Sequence, residues 1–309
     1  MRVHHLNAVS LCPPGGALVD GHSVSIRGRL ACHCLLVEAR DGLVLVDAGL
    51  GVEDVRHPHE RLSGFFLSML APELSEEWTC VRQIERLGYE ARDVRHVVLT
   101  HLDLDHAGGL DDFPWATVHL LSAEREAAER QHTRLDRWRY RPQQWGTRAR
   151  WRDYRSGEGE PWLGFDCVRA LEGLPSGDVL LVPLSGHTLG HAGVAVRRDR
   201  GWLLHAGDAY YDRRELDPDA PRCTPGLRTF ERLMEQDRRA RLWNQERLRD
   251  LAAAREGEVE VLSSHDPGEF ERAAGRPLDR LIAPMLHPPP AELRRPEPPP
   301  QLPGMSDLA

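Results

Sequence analysis

The run His101-Leu102-Asp103-Leu104-Asp105-His106 constrains this chain more than any other feature. Four side chains able to ligate a metal fall within six residues, directly after an apolar stretch at residues 97–100. A short apolar run of that kind reads as a buried strand, so the motif sits where a strand ends. In an extended segment residues i and i+2 point the same way, and His101 and Asp103 can face one ion. Asp105 and His106 fall where a helix over 105–110 is predicted to begin. They diverge from the first pair and suit a second ion better. Gly108-Gly109 then lets the backbone turn closely behind them.

Three further segments offer donors by the same logic. Ser185-Gly186-His187-Thr188-Leu189-Gly190-His191 is a glycine-punctuated loop between apolar runs. His205-Ala206-Gly207-Asp208-Ala209-Tyr210-Tyr211 ends a strand with a carboxylate, and Ser263-Ser264-His265-Asp266 ends another with a histidine. Loops at strand ends are where a rigid scaffold holds reactive groups. His191, His205 and the histidines outside these loops read as structural or surface residues. Cys32-His33-Cys34 reads as a strand whose two thiols share one face and pack the core.

Strands are predicted at 3–11, 23–26, 31–38, 43–47, 97–100, 117–121, 166–171, 179–183, 192–197, 202–206 and 258–263. A loop-like stretch follows residue 50 to about 72. Helices are predicted at 75–87, with Ser75 as N-cap and Gly88 as stop, at 122–130, and within 228–255. The pattern suggests one domain over 1–284 with insertions at about 51–74 and 131–161, the second rich in Arg, Trp and Tyr. Residues 285–309 are proline-rich and are expected to be an extended or disordered tail.

Composition excludes several classes. The net charge of −8, with no lysine in the chain, argues against nucleic-acid binding. No run approaches the roughly 18 apolar residues of a membrane span, and the N-terminus lacks a signal-peptide pattern, so a cytoplasmic protein is expected. Six cysteines in 309 residues do not suggest a disulfide scaffold.

The order of these segments resembles the metallo-β-lactamase superfamily, whose signature is His-x-His-x-Asp-His, then a distant Gly-His, an Asp and a final His. The likeness runs from about Cys32 to Asp266. It implies an α/β fold, the four-layer αββα sandwich of that family. It further implies two divalent metal ions, zinc in the first instance. His101, Asp103 and His187 would hold one, Asp105, His106 and His265 the other, with Asp208 bridging and Asp47 of Leu45-Val46-Asp47-Ala48-Gly49 supporting the ligands. Within the superfamily the pattern His-Leu-x-x-Asp-His-Ala-Gly-Gly and the spacing Asp208-x-x-Tyr211 are most similar to N-acyl-homoserine lactonases. That similarity implies a quorum-quenching lactonase acting on a small-molecule substrate. A bridging hydroxide would attack the carbonyl, Asp105 would orient the water or move its proton, and Tyr211 would donate to the carbonyl oxygen. Phe65, Phe66 and Met69 are expected to line an acyl pocket, and a homodimer is possible. Other hydrolytic substrates (thioester, phosphoester, β-lactam) and a di-iron redox or sensor protein are the alternatives.

Asp103 departs from the signature, which has histidine there. A carboxylate is a harder ligand and shifts preference towards iron or manganese. Three carboxylates and a hydroxide would balance two divalent ions, whereas histidine at 103 would leave one positive charge in excess. The expectation is a site working best above neutral pH, or with a metal other than two zincs.

Overall fold

Leu43-Val44-Leu45-Val46 is apolar at every position, which suits a strand covered on both faces. The computed structural model describes residues 1–145, 150–174 and 177–285, and among these twelve strands form two six-stranded sheets. The first holds, in spatial order, β1 (Arg2–Asn7), β2 (His33–Ala39), β3 (Gly42–Val46), β4 (Val94–Val98), β5 (Thr117–Leu121) and β6 (Trp151–Tyr154). The second mirrors it, running from β7 (Glu160–Trp162) through β8 (Phe165–Ala170), β9 (Val179–Pro183), β10 (Ala192–Arg197) and β11 (Trp202–His205) to β12 (Val259–Leu262). Pairing is parallel from β3 to β6 and between β11 and β12, and antiparallel elsewhere.

Period-two alternation sorts the apolar residues into layers. Leu35, Val37, Val44, Val46 and Val98 meet Leu181, Val194, Val196, Leu203 and Leu262 between the sheets. Leu36, Leu45, Val97, Val118 and Leu120 face outward into a cluster with Val81 and Ile84 of the helix Cys80–Arg86. On the opposite side Val182, Ala195, Leu204 and Val261 pack with Leu248 and Leu251 of the helix Arg238–Ala254. The result is the four-layer αββα sandwich.

Several local expectations fail; the helix expected over 105–110, for one, is a turn of helix (Leu104–Ala107) followed by a 3-10 helix (Gly108–Asp112). Residues 23–26 are not a strand: only Pro14 and Arg27 form an isolated bridge nearby, and Val24 and Ile26 point outward. The helix expected over 75–87 is broken into a 3-10 turn (Glu76–Trp78) and the helix Cys80–Arg86. Thr79 between them is extended, its hydroxyl donating to Glu76 O (2.7 Å), the local competition by which threonine interrupts a helix. The stretch read as a loop after residue 50 instead carries helices Val52–Arg56, Pro58–Arg61 and Gly64–Leu70. Each is too short for a helical period to show.

Residues 131–161 contribute a helix (Arg134–Arg139) capped by Thr133, a turn of helix (Pro142–Trp145), and the edge strands β6 and β7. The tail expected over 285–309 lies outside the described residues apart from Met285. Among the described residues no helix is long and apolar enough to cross a membrane.

Candidate metal centre

Topology delivers the donors to one end of the sandwich. β3 and β4 are parallel neighbours, so Asp47 and His101 emerge side by side just beyond them. β11 and β12 likewise lead to Asp208 and His265, and the β9–β10 connection carries His187. Backbone bonds stitch these loops together: Ala192 N–H to Thr100 O (2.9 Å), Ala48 N–H to His106 O (2.8 Å) and Ser264 N–H to Gly207 O (3.0 Å). His101, Asp103, Asp105, His106, His187, Asp208 and His265 are all buried.

Their donor atoms form two groups joined at one carboxylate. Asp103 Oδ2 lies 3.4 Å from His101 Nε2 and 3.0 Å from His187 Nε2. Asp105 Oδ2 lies 4.0 Å from His106 Nε2 and 3.7 Å from His265 Nε2. Asp208 reaches both groups: Oδ2 is 3.6 Å from His187 Nε2 and 3.2 Å from His265 Nε2, and Oδ1 is 3.3 Å from His106 Nε2. Donors around a tetrahedral ion with bonds near 2.1 Å stand about 3.4 Å apart; His101, Asp103 and His187 come close to that spacing, as does Asp208 with His106 and with His265, while Asp105 stands somewhat farther from its histidines. His101 Nε2, His106 Nε2 and Asp208 Oδ1 are buried and have no hydrogen-bond partner, a cost that a cation would remove.

The far side of three rings is fixed. His101 Nδ1 donates to Thr100 Oγ1 (2.9 Å), His106 Nδ1 to Asp47 Oδ2 (2.8 Å) and His265 Nδ1 to Ala31 O (2.6 Å). Each bond leaves Nε2 as the lone-pair nitrogen facing the cluster. Asp47 itself accepts from Thr100 N–H (2.8 Å) and Thr100 Oγ1 (2.9 Å), and it sits at φ 53°, a left-handed conformation uncommon outside glycine. His191 accepts from Asp208 N–H (2.9 Å) through Nε2, and His205 Nε2 donates to His33 O (2.7 Å); both hold backbone rather than join the cluster.

The electrostatics suit a cation. Burial alone would raise the Asp103 and Asp208 carboxyls. Arg139 and His101 hold the first, and His265 and His106 the second, well below the usual range. Burial and then Arg139 lower His187 to about 4, leaving a neutral imidazole. Burial, reinforced by Asp208, keeps the Tyr211 phenol well above its ordinary value and therefore protonated.

Tyr211 Oη donates to Asp208 Oδ2 (2.6 Å), and its ring stacks on His265 at 5.2 Å and 6°. Tyr210 instead donates to Glu269 (3.0 Å) in the core. A narrow cavity of about 30 Å³ opens onto the cluster, lined by Asp103, Asp105, His187, Asp208, Tyr211 and His265 together with Leu11, Leu30, Phe65, Phe66, Leu70, Phe230 and Met234. Met69 packs in the helix-side core and is not among the lining residues. Trp138 stacks on Phe65 (4.8 Å, 14°), so the segments at 51–74 and 131–161 meet over the cavity. A larger open groove of about 1080 Å³ lies between the helices Pro225–Met234 and Arg238–Ala254, away from the cluster. Its Glu215, Cys223 and Glu231 are grouped, but Arg241 and Gln245 already engage Glu231 Oε1, each at 3.0 Å.

Sequence reasoning missed three neighbours of the site. Cys32 Sγ lies 3.7 Å from Asp105 Oδ2, so this thiol abuts the cluster as well as the core. Arg139, fully buried at the end of the helix Arg134–Arg139, places Nε 3.0 Å from Asp103 Oδ1. Glu124, buried in the helix Ser122–Arg130, accepts from Leu102 N–H (3.0 Å), Thr188 Oγ1 (2.6 Å) and Gly190 N–H (3.2 Å), tying the His101 loop to the His187 loop. The one available signal was an acidic residue in the first turn after a strand, which reads equally well as a solvent-facing helix start. Glu124→Gln keeps only one acceptor oxygen for these three donors. It should cost about 1–3 kcal/mol of stability, measured by denaturant unfolding.

A sandwich of this topology, with two donor groups sharing a carboxylate at its strand ends, defines a metallo-hydrolase class of site. The family model of the metallo-beta-lactamase superfamily matches residues 27–289, and the chain belongs to that superfamily. A protein named a probable metallo-hydrolase from Mycobacterium tuberculosis is 40% identical over 273 residues, 88% of this chain and 83% of that one. An N-acyl homoserine lactonase from Bacillus cereus is 27% identical over 218 residues, 68% of this chain and 78% of the relative. Among solved structures, an N-acyl homoserine lactone hydrolase with the product N-hexanoyl-L-homoserine at its catalytic metal centre shares the fold at TM-score 0.64 and 21% identity, covering 91% of this chain and 98% of that one. A dizinc quorum-quenching lactonase does so at TM-score 0.57 and 15% identity, over 85% and 86% of the two chains.

Proposed function

We propose that this protein is a dinuclear metal-dependent hydrolase that opens a lactone ring of the N-acyl-homoserine-lactone kind. The observation that supports it most is the pair of buried donor groups sharing Asp208, with the Tyr211 hydroxyl on that same carboxylate at the floor of an apolar cavity. Two divalent ions held there, zinc in the first instance, would activate water and polarise the scissile carbonyl.

The chain's own groups do the rest. Tyr211, protonated and 2.6 Å from Asp208, can turn its hydroxyl to the carbonyl oxygen as negative charge develops there. Asp105, within the second donor group, can take the proton released by water and pass it to the leaving alkoxide. Phe65, Phe66, Leu11, Leu30 and Leu70 offer an acyl chain an apolar wall, and the Phe65–Trp138 stack must part to admit it. The relatives named N-acyl homoserine lactonases support the same substrate class.

A panel of acyl-homoserine lactones, thioesters, phosphodiesters and β-lactams tests the reading, with lactones expected to turn over fastest. Tyr211→Phe should lower kcat by about 100-fold on the best substrate while metal content stays unchanged. Turnover of phosphodiesters alone would refute the lactone assignment and leave the hydrolase standing. Trp138→Ala removes half of the aromatic stack. It should change KM for long-chain lactones more than for short ones, read from steady-state kinetics.

A further inference from the structure

Asp103 divides its two oxygens between different tasks. Oδ2 faces His101 Nε2 (3.4 Å) and His187 Nε2 (3.0 Å), the position of a metal donor. Oδ1 faces away, 3.0 Å from Arg139 Nε. The same guanidinium donates from Nη1 to His187 O (3.1 Å) and brings Nη2 to 3.1 Å from His187 Nε2. Arg139 thus hydrogen-bonds His187 and stands as a close counter-charge to Asp103, with its Nε and Asp103 Oδ1 near each other but not hydrogen-bonded, and its side chain is 0% exposed. A guanidinium is charged under all working conditions, so a buried one needs a fixed counter-charge. Its helix is anchored independently of the cluster. Thr133 caps it, and Gln236 donates to Asp136 Oδ1 (2.7 Å) while Gln236 N–H bonds Gly186 O (2.9 Å) in the His187 loop.

We propose that Arg139 is a positioning residue that makes Asp103 electrically equivalent to the histidine found at this place in the superfamily signature. The pair presents one oxygen donor with no net charge, so the charge count made from the sequence, which omitted Arg139, overstates the negative charge of the centre. Aspartate at 103 and arginine at 139 are then one coupled unit: exchanging Asp103 alone leaves the guanidinium uncompensated beside the metal, and exchanging Arg139 as well removes that excess charge. This rests on the dinuclear reading above.

A double-mutant cycle on the full chain tests it, with zinc stoichiometry and affinity read by competition with a chromophoric chelator rather than by activity. Asp103→His beside an intact Arg139 sets an imidazole against a guanidinium. It should weaken zinc binding by about 10–100-fold, the range of ligand-supporting contacts. Arg139→Met should retain two equivalents with undiminished affinity, because removing a cation favours metal. Asp103→His with Arg139→Met should return to within a few-fold of the unaltered protein. Circular dichroism reports folding; if the methionine variant fails to fold, Arg139→Gln takes its place in the same cycle. Asp103→His binding equally well, or equally poorly, with and without Arg139 overturns the proposal. So does a loss of affinity in Arg139→Met that Asp103→His does not relieve. Absence of zinc binding by the unaltered protein would overturn the dinuclear reading as well, which separates the two failures.

Discussion

Asp208→Ala should take bound divalent metal from two equivalents per chain to less than one, and hydrolysis should fall by at least about 10³-fold. The size of the effect follows from position. Among the described residues Asp208 is the carboxylate that reaches both donor groups, at 3.6 Å from His187, 3.2 Å from His265 and 3.3 Å from His106. Its loss subtracts a ligand from each group at once and strips His265 of its nearest carboxylate. It also removes the partner of Tyr211, so binding and transition-state stabilisation fail together. Asp208→Asn keeps the shape and loses the charge, and should fall between the two. Metal analysis with steady-state kinetics decides it; an alanine variant retaining two ions would mean that the shared carboxylate does not join the groups.

Chelation should lower the melting temperature by roughly 8 °C, the second large effect. A ligand held at a thousand times its dissociation constant stabilises a fold by about 4 kcal/mol. For a chain of this size each kcal/mol moves Tm by roughly 2 °C. The donors are buried on four separate loops, and among the described residues four of their side-chain atoms, His101 Nε2, Asp103 Oδ1, His106 Nε2 and Asp208 Oδ1, have no hydrogen-bond partner. The same chelator should hardly change Tm in Asp208→Ala, whose ions are already lost. Calorimetry of both proteins, with and without chelator, makes the comparison. An equal shift in the two would place the stabilising ion elsewhere in the molecule.

Legibility in the sequence depended on how local each signal was. The donors His101, Asp103, Asp208 and His265 follow apolar runs covered on both faces, so strand and loop could be told apart by pattern alone. The alternation that sends Leu35 and Val37 one way and Leu36 the other was readable for the same reason. The helices between Val52 and Leu70 were not, because one or two helical turns are too short to show a period. Thr79 breaks its helix by a side-chain bond to backbone that Ser75 as N-cap did not foreshadow. Arg139 was invisible for a different reason. It stands in an arginine-rich segment, and only tertiary packing singles out the guanidinium buried against Asp103. Asp103 therefore read as an uncompensated charge, and the inference about metal and pH built on it lacked its counter-ion.

The central claim, a two-ion centre that opens lactones, is tested most directly by adding zinc back to chelated protein while following hydrolysis of N-hexanoyl-homoserine lactone. The account predicts negligible turnover without metal and activity that climbs until two equivalents are bound, then levels. Full activity at zero or one equivalent, or two bound ions with no lactone opened, would contradict it.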